Sequence, residues 1–143
     1  MKNTKKLLIM IMAMVMVFGI TCFAGDSLVG FSNINLRPGD SETSPRCTLQ
    51  SEVKEFYVNQ YVEPANATKE RLIVKRYDGI FQISKEVATK EISISKTQNN
   101  VYTRIPLLSS VPYVPEDTNV GLTMKNTGNS SFDVKSGTLF KYR

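Results

Sequence analysis

The stretch that decides the fold is LIVKRYDGIFQIS, residues 72–84. β-Branched and aromatic residues flank Asp78 and Gly79, and Asp-Gly is a dipeptide that tolerates the positive φ angles of a type I′ turn. The stretch therefore predicts a β-hairpin from about residue 71 to residue 85, with Asp78 and Gly79 at the centre of its turn. A short helix over residues 85–90 is a competing possibility, which two β-branched residues and its small length oppose.

Strand and turn signals continue on both sides of this hairpin. Residues 56–62 and 119–125 alternate apolar and polar side chains, the pattern of a strand packed on one side and wet on the other. Three prolines within residues 106–115 exclude a central strand there and predict an extended crossing segment. About eight short strands with no convincing helix predict an all-β domain, a small antiparallel β-sandwich of about 7–8 strands.

The predicted core lies on one parity of these strands. It comprises Phe56, Val58, Leu72, Val74, Ile92, Ile94, Val120, Leu122, Met124, Phe132 and Val134.

A signal peptide precedes the predicted domain. Three lysines within residues 2–6 come before an apolar run that begins at Leu7, and small residues follow near Ala24. This order of basic end, apolar middle and small-residue site is typical of a secretory signal peptide, and a membrane-spanning helix needs a longer apolar run. We expect a signal-peptide helix over residues 1–24, cleavage between Ala24 and Gly25, and a single β-sandwich domain over residues 25–143.

The leader has a second possible fate. Residues 19–22 read GITC, so a lipoprotein peptidase would leave Cys22 as a lipid-bearing first residue. The expected location is therefore extracellular, with a membrane-anchored lipoprotein through Cys22 as the alternative.

Removing the leader changes what the composition implies. The whole chain of 143 residues carries a formal charge of +5, but the 119 residues from Gly25 onward hold 15 basic and 13 acidic side chains, a charge of +2. Such a balance gives no reason to expect a nucleic-acid partner. The expected membrane contact is through the leader during export, where the export machinery is the partner.

Cys47 is the single cysteine left after cleavage, so no intramolecular disulfide is possible. Two roles stay open for it: a buried small apolar side chain, or an intermolecular disulfide.

The residue types present exclude most enzymatic chemistry. The chain has no histidine, which removes the commonest general base, Ser-His-Asp triads and the commonest metal ligand. Its neighbouring carboxylates are interpreted as solvated surface; the pairs are Asp40 with Glu42, Glu52 with Glu55, and Glu116 with Asp117. We therefore expect a protein that is not an enzyme and that holds no cofactor and no metal.

Tyrosines provide the candidate binding site. Tyr57, Tyr61 and Tyr102 fall on the polar parity of their predicted strands, where an exposed ring can bind a sugar, a peptide or a partner surface. The alternative is that tyrosine simply suits half-buried sheet positions.

Three segments carry a resemblance to known proteins. Together with the Met-rich leader they are FSNINLRPG at residues 31–39, NVGLTMKNT at residues 119–127 and FDVKSG at residues 132–137. The chain resembles uncharacterised small secreted proteins of Firmicutes and, more distantly, the lactococcin-972-type bacteriocins. The resemblance implies a small β-sandwich exported from a Gram-positive cell, sometimes beside a transporter.

The sequence as a whole predicts a secreted, non-catalytic binding or cell-wall-associated interaction protein. Its partner would be an unidentified protein or glycan at the cell surface. The alternative is a bacteriocin-like or toxin-like secreted effector.

Overall fold

The computed structural model describes residues 25–142, which form two antiparallel β-sheets packed face to face. The strands are β1 (Asp26–Leu36), β2 (Ser41–Thr43), β3 (Cys47–Thr48), β4 (Glu55–Pro64), β5 (Thr68–Asp78), β6 (Ile83–Ile94), β7 (Gln98–Ile105), β8 (Asn119–Asn126) and β9 (Phe132–Tyr142). Sheet A has the order β1-β9-β4-β7, and sheet B has the order β2-β8-β5-β6, with β3 also paired to β8. The predicted all-β sandwich is confirmed. The predicted signal-peptide helix lies outside the described residues.

The hairpin predicted at residues 72–84 forms, but its turn differs from the predicted one. Asp78 pairs with Ile83, so residues 79–82 make a longer loop in which Gly79 and Gln82 have φ angles of 70° and 51°. The observed register sets Leu72 opposite Lys90 and Val74 opposite Ala88, with an irregularity between Val74 and Lys75. This register buries Val87 and Ala88 of β6, and burial of apolar side chains is what specifies the register of a half-buried strand.

The core occupies the space between the two sheets much as the strand parity predicts. All of the predicted core residues are buried except Ile92, which is partly buried against the same cluster. Residues 85–90, where a helix competes in the sequence, belong to the continuous strand β6. The proline-rich segment crosses from β7 in sheet A to β8 in sheet B, and within it Val114 forms an isolated bridge with Val53.

Among residues 25–142 no helix is long and apolar enough to cross a membrane.

Asn126, at the end of β8, joins the two sheets at one end of the sandwich. Its side-chain amide donates from Nδ2 to the carbonyl oxygens of Leu36 at 3.0 Å and Ser130 at 2.8 Å. Its Oδ1 accepts from the Thr68 hydroxyl at 3.1 Å and from the Gly128 backbone N–H at 3.0 Å. The residue is 1% exposed, so these four bonds take the place of water for every polar atom of the side chain.

Gly128 belongs to the same arrangement for a steric reason. A Cβ atom at this position would lie 2.2 Å from Thr68 Oγ1 and 2.4 Å from the Lys69 backbone nitrogen. The loop between β8 and β9 can therefore approach β5 closely only with glycine here.

We predict that Asn126→Asp destabilises the fold strongly although the two side chains have nearly the same shape. The carboxylate cannot donate to the two carbonyl oxygens, and it places a charge in a buried site. The expected loss in free energy of unfolding is at least about 2 kcal/mol, measured by urea denaturation. Asn129→Asp makes the same chemical change at an exposed position and is the control. Equal stability of the two variants would contradict the role assigned to Asn126.

A second buried polar pair lies between the sheets. Glu70 on β5 is 0% exposed and accepts a hydrogen bond from Gln60 Nε2 on β4. Two atoms of this pair, Gln60 Oε1 and Glu70 Oε1, are buried without a hydrogen-bond partner. Burial raises the pKa of Glu70 from 4.5 to about 7, an effect that the Gln60 hydrogen bond partly opposes. When the Glu70 carboxyl group is protonated it is also a hydrogen-bond donor, and Gln60 Oε1 is a buried acceptor without a donor.

We predict that the contribution of Glu70 to the free energy of unfolding falls as pH rises. Because the pKa of Glu70 is higher in the folded state than in the unfolded chain, the folded state holds the extra proton between pH 4.5 and about 7. Its contribution is fully present below this window and is lost across it, by an amount of about 3 kcal/mol. Glu70→Gln keeps the shape without the titration, so its stability relative to wild type should rise across the window. Urea denaturation at several pH values measures this difference, and a difference that stays constant with pH would contradict the prediction.

Candidate functional site

The three tyrosines predicted as binding residues lie together on the outer face of sheet A. Tyr57 and Tyr61 belong to β4, and Tyr102 belongs to the neighbouring strand β7. Along β4 the burial alternates strictly, with Phe56, Val58, Gln60 and Val62 inside and the tyrosines outside. The parity that fills the core therefore also sets the direction of the tyrosines.

The register between strands extends this surface over three of them. Tyr57 lies opposite Phe140 of β9 on one side and Arg104 of β7 on the other. Asn59, two residues further along β4, lies between Thr138 of β9 and Tyr102 of β7. We call this surface the tyrosine face; it is defined by Tyr57, Asn59, Tyr61, Tyr102, Arg104, Phe140 and Tyr142.

Polar groups hold the rings at the β7 side of the tyrosine face. The Tyr57 hydroxyl donates to Glu55 Oε2 at 2.8 Å, and Arg104 donates to Glu55 Oε1 at 2.5 Å. Asn59 donates from Nδ2 to Asn100 Oδ1 at 2.8 Å. The hydrogen bond to Glu55 raises the pKa of the Tyr57 hydroxyl. The Tyr57 side chain is thus held by Glu55, which lies two residues earlier on the same face of β4.

A second group of charges surrounds Tyr61. Its hydroxyl donates to Glu63 Oε1 at 2.5 Å, and Lys135 Nζ lies 3.3 Å from Glu63 Oε2 and 3.6 Å from Asp133 Oδ2. The hydrogen bond from Tyr61 lowers the pKa of Glu63, and the bond to Glu63 raises the pKa of Lys135. Lys135 thus lies beside the carboxylates of both Glu63 and Asp133, so the tyrosine face combines aromatic rings with charges that are compensated nearby.

Phe140 and Tyr142 belong to the tyrosine face but were not predicted as binding residues. The Phe140 ring lies 5.7 Å from that of Tyr102, and the Tyr142 ring lies 6.4 Å from that of Tyr57 in an edge arrangement. In the last five residues of β9 the buried positions are Leu139 and Lys141, so a lysine shares the inner parity there and the aromatic residues point outward. From the local sequence alone, Phe140 and Tyr142 would be expected to point inward and Lys141 outward. The signal that could have found them is that Phe140 and Tyr142 are two residues apart.

The other residues singled out in the sequence are placed as follows. Cys22 and Ala24 lie outside the described residues, and Gly25 is the first residue within them. The neighbouring carboxylates of the loops are exposed, except that Glu55 is partly buried and bonded to Tyr57 and Arg104. No group of three or more acidic, cysteine or histidine side chains within residues 25–142 is placed to hold a metal ion.

Comparisons with known proteins give structural neighbours only. No protein-family model matches the chain, and no curated protein matches it. Among solved structures, the α-L-arabinofuranosidase MgGH51 bound to arabinose is 8% identical with a TM-score of 0.44, covering 76% of this chain and 19% of that one. The carbohydrate-binding module TmCBM61 in complex with β-1,4-galactotriose is 11% identical with a TM-score of 0.34, covering 77% and 70%.

A third neighbour is the CBM22-1–GH10 part of Clostridium thermocellum xylanase 10B, complexed with xylohexaose. It is 14% identical with a TM-score of 0.38, covering 81% of this chain and 25% of that chain. The chain thus spans no more than a quarter of the length of the arabinofuranosidase and xylanase chains. At such identities and TM-scores the neighbours do not identify a ligand, which has to be argued from the site itself.

A separate cleft of about 320 Å³ contains Cys47. Lys141 lines it, is 4% exposed, and donates from Nζ to the Ser51 hydroxyl at 2.7 Å, while Asp26 Oδ2 lies 3.8 Å from the same nitrogen. Burial raises the pKa of the Cys47 thiol, and the charge of Lys141 opposes this to a smaller extent. Cys47 is a half-buried free cysteine, so its burial does not choose between a buried apolar role and an intermolecular disulfide.

We predict that the Cys47 thiol reacts slowly, because the thiolate is the reactive form and burial disfavours it. Alkylation by iodoacetamide at pH 7 should be at least several-fold slower in the folded protein than in the same protein in urea. Mass spectrometry follows the reaction. Equal rates in the two states, or a disulfide-linked dimer on a non-reducing gel, would contradict the prediction.

Proposed function

We propose that this protein is a secreted, non-catalytic binding protein that recognises a glycan at the cell surface through the tyrosine face. The observation that carries the proposal is the clustering of Tyr57, Tyr61 and Tyr102 with Phe140 on the outer face of one sheet. The leader pattern supports secretion, and the resemblance to small secreted Firmicutes proteins supports a Gram-positive source.

The chemistry of the face suits a sugar chain. Tyrosine rings offer an apolar surface together with a hydroxyl, and the amide of Asn59 lies between them. Tyr57 and Tyr61 are four residues apart on β4, roughly 13 Å at the rise of a β-strand, which gives room for several linked sugar rings. Glu55 and Glu63 are each compensated by a nearby cation, which favours an uncharged glycan over an ionic one.

The carboxylates of the face support binding without catalysis. Glu55 and Glu63 stand eight residues apart on one strand, roughly 26 Å, whereas glycoside hydrolysis needs two carboxyl groups about 5–9.5 Å apart. Glu63 and Asp133 are opposite each other, but they share Lys135, and Tyr61 lowers the pKa of Glu63. A general acid needs a raised pKa, so this pair does not meet the requirement.

The test is affinity electrophoresis and calorimetry of the exported protein with a panel of β-1,4-linked glucans, xylans and galactans and with purified cell wall. We expect one glycan class to bind, and Tyr102→Ala to weaken it by roughly tenfold, or about 1.4 kcal/mol, because a stacked ring is lost. Tyr113→Ala is the matched control, since Tyr113 is similarly exposed but lies in the segment between β7 and β8, outside sheet A.

Two results would contradict the proposal. One is a Tyr102→Ala variant that binds the glycan as well as wild type. The other is a protein that binds no glycan and kills related Gram-positive cells, which would favour the bacteriocin-like alternative.

A further inference from the structure

The tip of the β5–β6 hairpin is the most exposed apolar surface of the described chain. Ile80 is 95% exposed, Phe81 is 89% exposed and Ile83 is 60% exposed, the three highest values among the large hydrophobic side chains of residues 25–142. Single exposed apolar residues are ordinary on a protein surface, but three within four positions mark an interaction site. We call residues 79–83 the hairpin tip.

The hairpin tip has a defined conformation. The Gln82 backbone N–H donates to the Gly79 carbonyl oxygen at 3.2 Å, and its side-chain Nε2 donates to the same oxygen at 2.8 Å. Gln82 Oε1 accepts from Arg46 Nη1 at 2.8 Å. The polar groups of the Gln82 side chain are thus both hydrogen-bonded within the chain, to Gly79 and to Arg46. Ile80, Phe81 and Ile83 remain as the side chains that project, and little ordering is required when they are buried.

Basic residues surround the base of the hairpin tip. Arg76 lies directly opposite Lys85 in the register of β5 and β6, an arrangement of like charges that disfavours pairing. Arg76 is compensated by Asp78, with its Nη2 2.7 Å from Oδ1. Lys85 and Arg46 form no salt bridge with any residue in the range 25–142, and the Arg46 guanidinium lies 3.7 Å from the centre of the Tyr77 ring. We call Arg46, Arg76 and Lys85 the basic collar.

We propose that the hairpin tip inserts into the surface of an anionic lipid bilayer, with the basic collar at the level of the phosphate headgroups. A projecting apolar loop with cations at its base matches the order of a bilayer interface, in which negative phosphates lie above hydrocarbon. Lys85 and Arg46, which form no salt bridge within residues 25–142, leave positive charge at the base of the hairpin tip that anionic headgroups would neutralise.

This inference goes beyond glycan binding and uses a different part of the molecule. The tyrosine face lies on the outer side of sheet A, and the hairpin tip extends from sheet B. The expected membrane contact through the leader alone is thereby extended to a contact made by the folded domain.

The test is co-sedimentation with two kinds of vesicle, phosphatidylcholine alone and a mixture of phosphatidylcholine with phosphatidylglycerol. Wild type and variants are exported from the same host, and intact mass verifies that all have the same N-terminus. We expect binding to the mixed vesicles that weakens with added salt. The double change Ile80→Ser and Phe81→Ser should weaken it at least tenfold, and Lys85→Glu should weaken it severalfold.

The control replaces two partly exposed apolar side chains that lie outside the hairpin. Val101→Ser and Tyr113→Ser, each at a residue 46% exposed, should leave vesicle binding unchanged. Thermal unfolding compares the variants with wild type, and no loss is expected for the tip variant because its side chains lie almost wholly in solvent.

A direct readout of insertion is available because the chain has no tryptophan. In the variant Phe81→Trp the introduced tryptophan is the single one, and its emission should shift to shorter wavelength when mixed vesicles are added. The inference is overturned if wild type binds neither vesicle, if the tip and control variants bind alike, or if the emission does not shift. These outcomes are independent of glycan binding by the tyrosine face, which is measured without lipid.

Discussion

The hydrogen bonds of the Asn126 amide are the constraint on which the sandwich depends. Face-to-face sheets gain most of their stability from non-directional apolar burial, which does not by itself fix how the ends of the sheets meet. Asn126 supplies a directional contact there, because its four partners come from the end of β1, the start of β5 and the loop between β8 and β9. Removing any of them would leave a buried polar atom without water. The position of sheet A on sheet B is tied to this side chain.

The order and register of the strands within sheet A determine which side chains meet on its outer face. Strand β9 lies between β1 and β4, although it is the last strand in the chain, and β7 completes the sheet beyond β4. This order brings Phe140 and Tyr142 next to Tyr57, and Tyr102 next to Asn59. Residues nearly ninety positions apart thus contribute to one surface, in the manner of a binding site built on a rigid scaffold.

Inside the sandwich, Gln60 and Glu70 are an exception to the apolar pattern. Both occupy inward positions of strands whose inward residues are mostly apolar, and the two side chains come from opposite sheets. Burial of the Glu70 carboxyl group raises its pKa to about 7, so the neutral form is favoured below that pH. The core is therefore sensitive to pH although the chain contains no histidine.

The sequence by itself determined the class of fold, the parity of most strands and the exclusion of histidine-based chemistry, because these depend on residue type and on a period of two along each strand. For the same reason it assigned Tyr57, Tyr61 and Tyr102 to the polar side of their strands. Tertiary structure alone decided the longer turn at Gly79 and the outward direction of Phe140, because both depend on how a strand pairs with its neighbours: β5 and β6 pair with an irregular register, and Leu139 and Lys141 are the buried residues on either side of Phe140. It alone also brought the apolar hairpin tip beside Arg46, since a contact between residues more than thirty positions apart leaves no local pattern in the chain.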